Sequence, residues 1–503
     1  MKRVSTILLI LLGGTFLFAQ NTLSINGQNE ARFVYRTAED SLNAYFSDSF
    51  SFALAYRNFS FGMKFNADLP RYPVEQSELI DELDNQRLRL AWEEFTAGYS
   101  KDAFSIQAGT TEESFGNGMI FRSYKDLEFD LDHRLDSFLL KYNEDFKFKA
   151  LYGAIENPTN AGKYDLAYGA DFQTPAWFGF SLGASAVAFR NYSALGYNQR
   201  DVFGARLNAI MAGLDLQLEA AFSDLYHQPS GSRDGKALFG TGSYSLGNLT
   251  LGGSYKLYDT NREQDGYTIF KNLTVGGSYK LYDGFQYRLQ DLPLANHHGE
   301  TLSDSQASGE DEEGYQAFAS LGVTDCLSLS GDYAEAWNSD QSLKMNDAYA
   351  ALDWEKNDLR FGLSWSHIEK LNDNLDAWQQ ELIPAFLAGF TLLKMPVQLQ
   401  GEYKLVSKQK HEVETQHAEP KLQADLSLGK LAVSLAAQSQ WEEISELMES
   451  NYWPAIELKY PIFNHSDLIL FGGKEAGGKV CRNGVCRYVA PFEGLKVELN
   501  TRF

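Results

Sequence analysis

Apolar and polar residues alternate one by one along most of this chain. Phe59, Phe61, Met63 and Phe65 alternate with Ser60, Gly62 and Lys64. Leu214, Leu216 and Leu218 alternate with Asp215, Gln217 and Glu219. The same holds for Leu359, Phe361, Leu363 and Trp365 against Arg360, Gly362 and Ser364, and for Val397, Leu399, Tyr403 and Leu405 against Gln398, Gln400, Glu402 and Lys404. Successive strand side chains point to opposite faces, so each segment predicts a strand with one apolar and one polar face. No convincing amphipathic helix interrupts the pattern; residues 77–84 and 441–448 allow only a helical turn or two within a connection. The chain is predicted to be all-β.

The polar faces carry whole charges. In a soluble sandwich those charges would meet water and the apolar faces would meet each other. In a membrane barrel the apolar faces meet lipid and the charges line the lumen. The closing residues 494–503 favour the barrel. Leu495, Val497, Leu499 and Phe503 fall on one side and Lys496, Glu498 and Arg502 on the other. This ending resembles the closing strand of bacterial outer-membrane barrels, and the resemblance implies that Phe503 is an assembly signal. The expectation is a transmembrane antiparallel β-barrel with Lys496, Glu498, Arg502, Glu402 and Lys404 facing the lumen. At roughly 20 residues per strand and connection, the chain supplies about 24 strands, with 22 to 26 allowed.

The amino terminus reads as an export signal. Met1-Lys2-Arg3 is basic, 4–18 is largely apolar, and Ala19 precedes a predicted cut, so residues 1–19 leave and 20–503 form one domain. The longest later apolar run, 382–393, falls short of a spanning helix. No Pro-rich or Ser/Gly-rich tract divides the chain. The 27 Tyr and 34 Phe suit aromatic bands at two membrane interfaces. The net charge of −23 argues against nucleic acid, because phosphate binding needs clustered cations. Acidic connections also suit attraction of cations to a pore mouth or bridging to lipopolysaccharide.

One repeat stands out. Residues 248–259 return as 272–283 with only Leu251 and Val275 differing. The offset of 24 is even, so facing is preserved, and a duplicated hairpin keeps a closed sheet closed. Long polar connections at 74–85, 111–134, 288–314 and 408–418 are expected outside the cell.

Candidate chemistry is sparse. Gly179-Phe-Ser181-Leu-Gly183 matches the nucleophile-elbow spacing, but it lies within a continuous strand pattern rather than a strand–turn–helix. No enzymatic activity and no cofactor is expected. Asp126, Glu128, Asp130 and Asp132 form an acidic run that is a weak metal candidate, without the glycine of a calcium loop. His297-His298 and the pair His411 and His417 lack zinc-site partners. Cys481-Arg-Asn-Gly-Val-Cys486 encloses Asn483-Gly484, a strong two-residue hairpin signal that sets the two cysteines directly opposite. Export to an oxidising compartment makes a Cys481–Cys486 disulfide the expectation. Cys326 is left over and expected to pack on a strand.

Two segments carry a wider resemblance. Phe115-Gly-Asn-Gly-Met-Ile-Phe-Arg-Ser-Tyr-Lys-Asp126 and the tail from Gly477 through Cys481, Cys486, Pro491 and Phe492 to Phe503 resemble a family of uncharacterised outer-membrane barrel proteins of Gram-negative bacteria. The resemblance implies location in the outer membrane, with lipid, lipopolysaccharide and the barrel assembly machinery as partners, and no particular chemistry. A barrel of about 24 strands is too wide for wall side chains to fill. The leading reading is therefore a channel or translocation conduit for a solute or polymer. The alternatives are a surface receptor or scaffold acting through its loops, and a soluble exported all-β protein.

Overall fold

The computed structural model describes residues 23–37, 44–70, 88–126, 131–132, 134–156, 162–193, 196–227, 231–259, 312–411, 413–442, 451–482, 485–489 and 491–503. The expected export signal at 1–19, the second copy of the repeat at 272–283, Glu128, Asp130 and the pair His297-His298 lie outside them.

The described residues form one closed sheet of 24 antiparallel strands. The first half comprises β1 (Ser24–Arg36), β2 (Ala44–Tyr56), β3 (Phe59–Leu69), β4 (Arg89–Lys101), β5 (Phe104–Thr111), β6 (Leu135–Asn143), β7 (Lys147–Glu156), β8 (Tyr164–Gln173), β9 (Phe180–Ser193), β10 (Gly196–Met211), β11 (Leu214–His227) and β12 (Gly231–Leu246). The second comprises β13 (Leu249–Asp259), β14 (Glu312–Thr324), β15 (Leu327–Asn338), β16 (Leu343–Lys356), β17 (Leu359–Asn372), β18 (Ala377–Leu392), β19 (Met395–Lys410), β20 (Val413–Leu428), β21 (Leu431–Glu442), β22 (Asn451–Phe463), β23 (Ser466–Glu475) and β24 (Phe492–Arg502). Neighbours in sequence are neighbours in the sheet, and β24 returns to pair with β1, from Gln28 opposite Arg502 to Arg36 opposite Gly494. Strand β13 pairs directly with β14, from Leu249 opposite Leu321 to Tyr258 opposite Glu312.

The two faces of the wall are inverted relative to a soluble protein. Trp92, Leu363, Phe386 and Leu495 are exposed on the outside. On the other side Asp171, Arg206, Glu219, Glu381 and Gln423 are buried. An apolar outer surface around a polar interior is the solution that lipid demands, because closure satisfies every strand edge. This excludes the soluble sandwich. Aromatic pairs run along the outer face: Phe59 with Tyr99 at 5.0 Å, Phe61 with Phe95 at 5.4 Å and Phe65 with Trp92 at 5.9 Å. Among the described residues no helix is long and apolar enough to cross a membrane, which says nothing against strands.

The two ends of the barrel differ. At the end holding both termini, strands join through tight turns such as Arg57-Asn58, Ala212-Gly213 and Leu393-Lys394. Arg57, Ala212, Leu393 and Lys394 have positive φ there, as the mirror-image turns of hairpins require. Long connections gather at the opposite end. Cys326 does not pack on a strand: it is a free thiol in the turn between β14 and β15, where its carbonyl accepts the Glu355 N–H at 2.8 Å.

The seam between β24 and β1 is sealed by the final residue. The Phe503 N–H donates to the Gly27 carbonyl at 3.0 Å, and the Gly27 N–H donates back to the Phe503 carbonyl at 2.8 Å. The Phe503 ring stacks on Phe50 at 5.9 Å.

Candidate functional site: a segment folded into the lumen

The connection from β5 to β6 does not extend outward as its polar ends suggested. It turns into the barrel and lies against the inner wall. Phe115, Met119, Ile120 and Phe121 are fully buried among Leu139, Leu151, Val187, Phe189, Val202 and Phe239, the inward side chains of β6 to β12. This corrects the expectation of an external loop at 111–134. The physical reason is the apolar group at its centre: each such side chain gains about 1.5–3 kcal/mol by leaving water. The wall of β6 to β12 meets it with the largest buried apolar cluster of the described residues.

Within the segment Glu113–Phe115 pairs with Phe121–Ser123 as a short hairpin. Its tip carries Gly116 and Gly118, both at positive φ. The Asn117 backbone N–H donates to the Glu219 carboxylate on β11 at 2.9 Å. Ile120 reaches across to Gly204 on β10, where an added Cβ would lie 1.9 Å from its Cδ1. The Gly116-Asn-Gly118 motif is thus the hook that grips the far wall.

The base of the segment is held by charges and hydroxyls. Lys149 donates to Glu113 at 2.8 Å and to the Ser114 carbonyl at 2.9 Å, and Lys141 also pairs with Glu113. Burial pushes the Glu113 carboxyl up, but hydrogen bonds from Lys141 and Lys149 and their charges outweigh it and hold it below the usual carboxylate range. Lys125 bonds Glu93 at 2.8 Å, and buried Arg134 pairs with Glu94 at 2.5 Å. Ser123 Oγ accepts the Leu135 N–H at 2.9 Å and donates to the Thr111 carbonyl at 2.6 Å. Arg122 stacks over the Tyr124 ring at 3.9 Å.

The remaining wall is polar. Lys404 pairs with Glu381 at 2.7 Å, Lys496 with Glu475 at 2.5 Å, and Arg32 with Glu498 at 3.0 Å. Glu402, Lys404, Lys496 and Glu498 therefore lie on the same face as buried Glu381, and Arg502 stands opposite Gln28 near the rim. In the first half, Arg206 makes two bonds to Asp171, at 2.5 and 3.0 Å, and Ser185 joins them.

Ser181 sits in β9, where its hydroxyl accepts from Gln173 Nε2 at 3.1 Å, and no turn to a helix follows it. Asp126 stands opposite Leu131 and Asp132 opposite Lys125 in a two-residue ladder. Among the described residues no group of three His, Cys, Asp or Glu side chains converges as a metal site. His417 bonds Glu419 at 2.9 Å, and His411 occupies a turn. The tail carries a separate two-stranded ribbon, Gly478–Arg482 with Val485–Val489, in which Cys481 stands directly opposite Cys486.

A family model matches residues 1–282, more than half of the chain, including the whole inward segment. The chain belongs to DUF6029, a family of unknown function. No curated protein matches it. Among solved structures it is similar in fold to the Escherichia coli P pilus tip assembly intermediate PapC-PapD-PapK-PapG, with a TM-score of 0.56 at 10% identity, covering 95% of this chain and 60% of that one. Lower similarity is found to the P pilus usher PapC translocation pore (TM-score 0.46, 8% identity, 95% of this chain and 99% of that one). The siderophore receptor PirA from Pseudomonas aeruginosa gives a TM-score of 0.44 at 10% identity, covering 96% and 81%. At these identities the likeness is one of fold.

The strand pattern and terminal Phe pointed to the barrel wall, and sequence reasoning missed Glu219, Lys141, Lys149 and Arg134 as anchors. A signal existed: Phe115, Met119, Ile120 and Phe121 place four large apolar side chains within seven residues of the connection. Apolar residues in a connection of an inside-out barrel have only the lumen in which to hide.

Proposed function

We propose that this protein is an outer-membrane channel for small polar solutes, narrowed on one side by the segment between β5 and β6. The observation that carries it is the pairing of a polar, charged wall with an anchored internal segment. A wall of charges is costly unless it stays wet, and a wet lumen through a closed barrel is a path. The segment reduces the width of that path. A bare barrel of 24 strands would leak freely.

The tight-turn end, with both termini, faces the periplasm in this reading, and the long connections face outside. Outer-membrane lipid and lipopolysaccharide surround the apolar belt, and the assembly machinery reads Phe503. Reconstitution into planar bilayers tests the proposal. Discrete current steps are expected, and their absence under all voltages would overturn the channel reading in favour of a surface receptor or scaffold.

A further inference from the structure

The wall opposite the internal segment contains a recess. Its cause is register. Lys421 stands opposite Glu402, Glu402 opposite Ala385, Ala385 opposite Ser364, and Ser364 opposite Ala351. Three small side chains in one row across β16, β17 and β18 leave the inner surface low, while long side chains rise at its edge on β19 and β20. Strands lie about 4.8 Å apart, so three small residues open roughly 10–14 Å of floor. The hollow holds about 320 Å³. That is at the small end of ligand sites and fits a molecule of amino-acid size.

The rim carries charges of both signs. On the neighbouring strands Lys404 pairs with Glu381, and at the seam Arg32 pairs with Glu498. Asp353, Glu402 and Lys421 all line the recess, and among the described residues none of the three is ion-paired. Asp353 lies beside the hollow over Gly362, where an added Cβ would stand 3.1 Å from its Oδ1. Gln400 adds an amide donor and acceptor at the same rim.

We infer that this recess binds small zwitterions bearing one more cationic group than anionic, the class of the basic amino acids. The inference rests on the channel reading and names its solute class. Two carboxylates face two cationic groups, and one ammonium faces one carboxylate. Neutral sugars would leave three charges unanswered, and acidic solutes would meet two carboxylates with one cation. Charge-assisted bonds in a partly screened wall give weak, fast-exchanging binding, which passage requires.

The test uses the full chain, purified in detergent and reconstituted in bilayers at about 0.15 M salt. The probes are L-arginine, its decarboxylated analogue agmatine, L-glutamate and maltose. Arginine should bind by calorimetry and interrupt the current, and glutamate and maltose should do neither. Asp353→Asn and Glu402→Gln should each weaken arginine about tenfold, the scale of a lost charge-assisted bond. Lys421→Gln should remove the advantage of arginine over agmatine: arginine should weaken, while agmatine, relieved of a like charge, should bind as well as before or better. Equal binding of arginine and maltose, or equal loss of arginine and agmatine in Lys421→Gln, would overturn the site. Current steps with no response to arginine would sink this inference and leave the channel standing. Arginine binding without any current would do the reverse.

Discussion

The Glu219 carboxylate occupies the space that a side chain at position 116 would need. An added Cβ on Gly116 would lie 2.5 Å from Glu219 Oε1, and Gly116 has φ near +56°. The hook therefore requires glycine for two reasons, close approach and left-handed backbone. Gly116→Ala should loosen the tip. Glu219→Ala should loosen it too, by about 1.5–3 kcal/mol for loss of a charge-assisted bond. Limited proteolysis of the reconstituted protein checks this: both variants should be cut between 113 and 123, and the wild type should not. Equal resistance in all three would mean that the apolar contacts alone hold the segment.

The base of the segment should respond to acid. The Glu113 carboxyl is held below its ordinary value, so it contributes attachment at neutral pH. That contribution is full above the unfolded value of about 4.3 and is lost as pH falls through the lowered folded value. Open-channel noise should rise as the bath is taken from pH 7 toward pH 3. Glu113→Gln should show the raised noise already at pH 7 and a smaller change on acidification. An identical pH response in the variant would remove Glu113 from the clamp.

Phe503 is expected to matter to assembly more than to the finished barrel. Its ring lies over Gly27, where a Cβ would come within 2.2 Å of the ring, yet the residue is 54% exposed. An unclosed amphipathic strand edge is adhesive until paired. Phe503→Ala should lower the amount of inserted protein severalfold while the inserted fraction keeps its heat-modifiable gel migration. Normal insertion would argue against a role in recognition.

Cys481 and Cys486 hold directly opposite positions in the ribbon ladder, next to the Arg482–Val485 pair. A disulfide is expected between them in protein isolated from the envelope, and non-reducing mass spectrometry should find the spanning peptide two hydrogens lighter. The closed loop is very short, so the gain in stability should be small. Its effect is to fix the ribbon's register. Two free thiols would contradict the pairing.

Much of the wall could be read from the sequence, because period 2 is a local property. Leu359 to Trp365 states which side is apolar without reference to any other strand. The closing strand at 494–503 was equally plain. The internal segment was not, because its position depends on partners far away. Glu219 is 102 residues from Asn117, and nothing near either marks the contact. The recess was hidden for the same reason: Ala351, Ser364 and Ala385 become neighbours only through the register of two hairpins.

If the segment between β5 and β6 sets the width of a conducting lumen, its removal must widen the path. Single-channel conductance of the wild type is compared with that of a variant in which 113–123 is replaced by a short Gly-Ser linker. Both should insert, and the variant should conduct severalfold more. Equal conductance in the two, or silence in both, would show that the segment does not set the width of a conducting path.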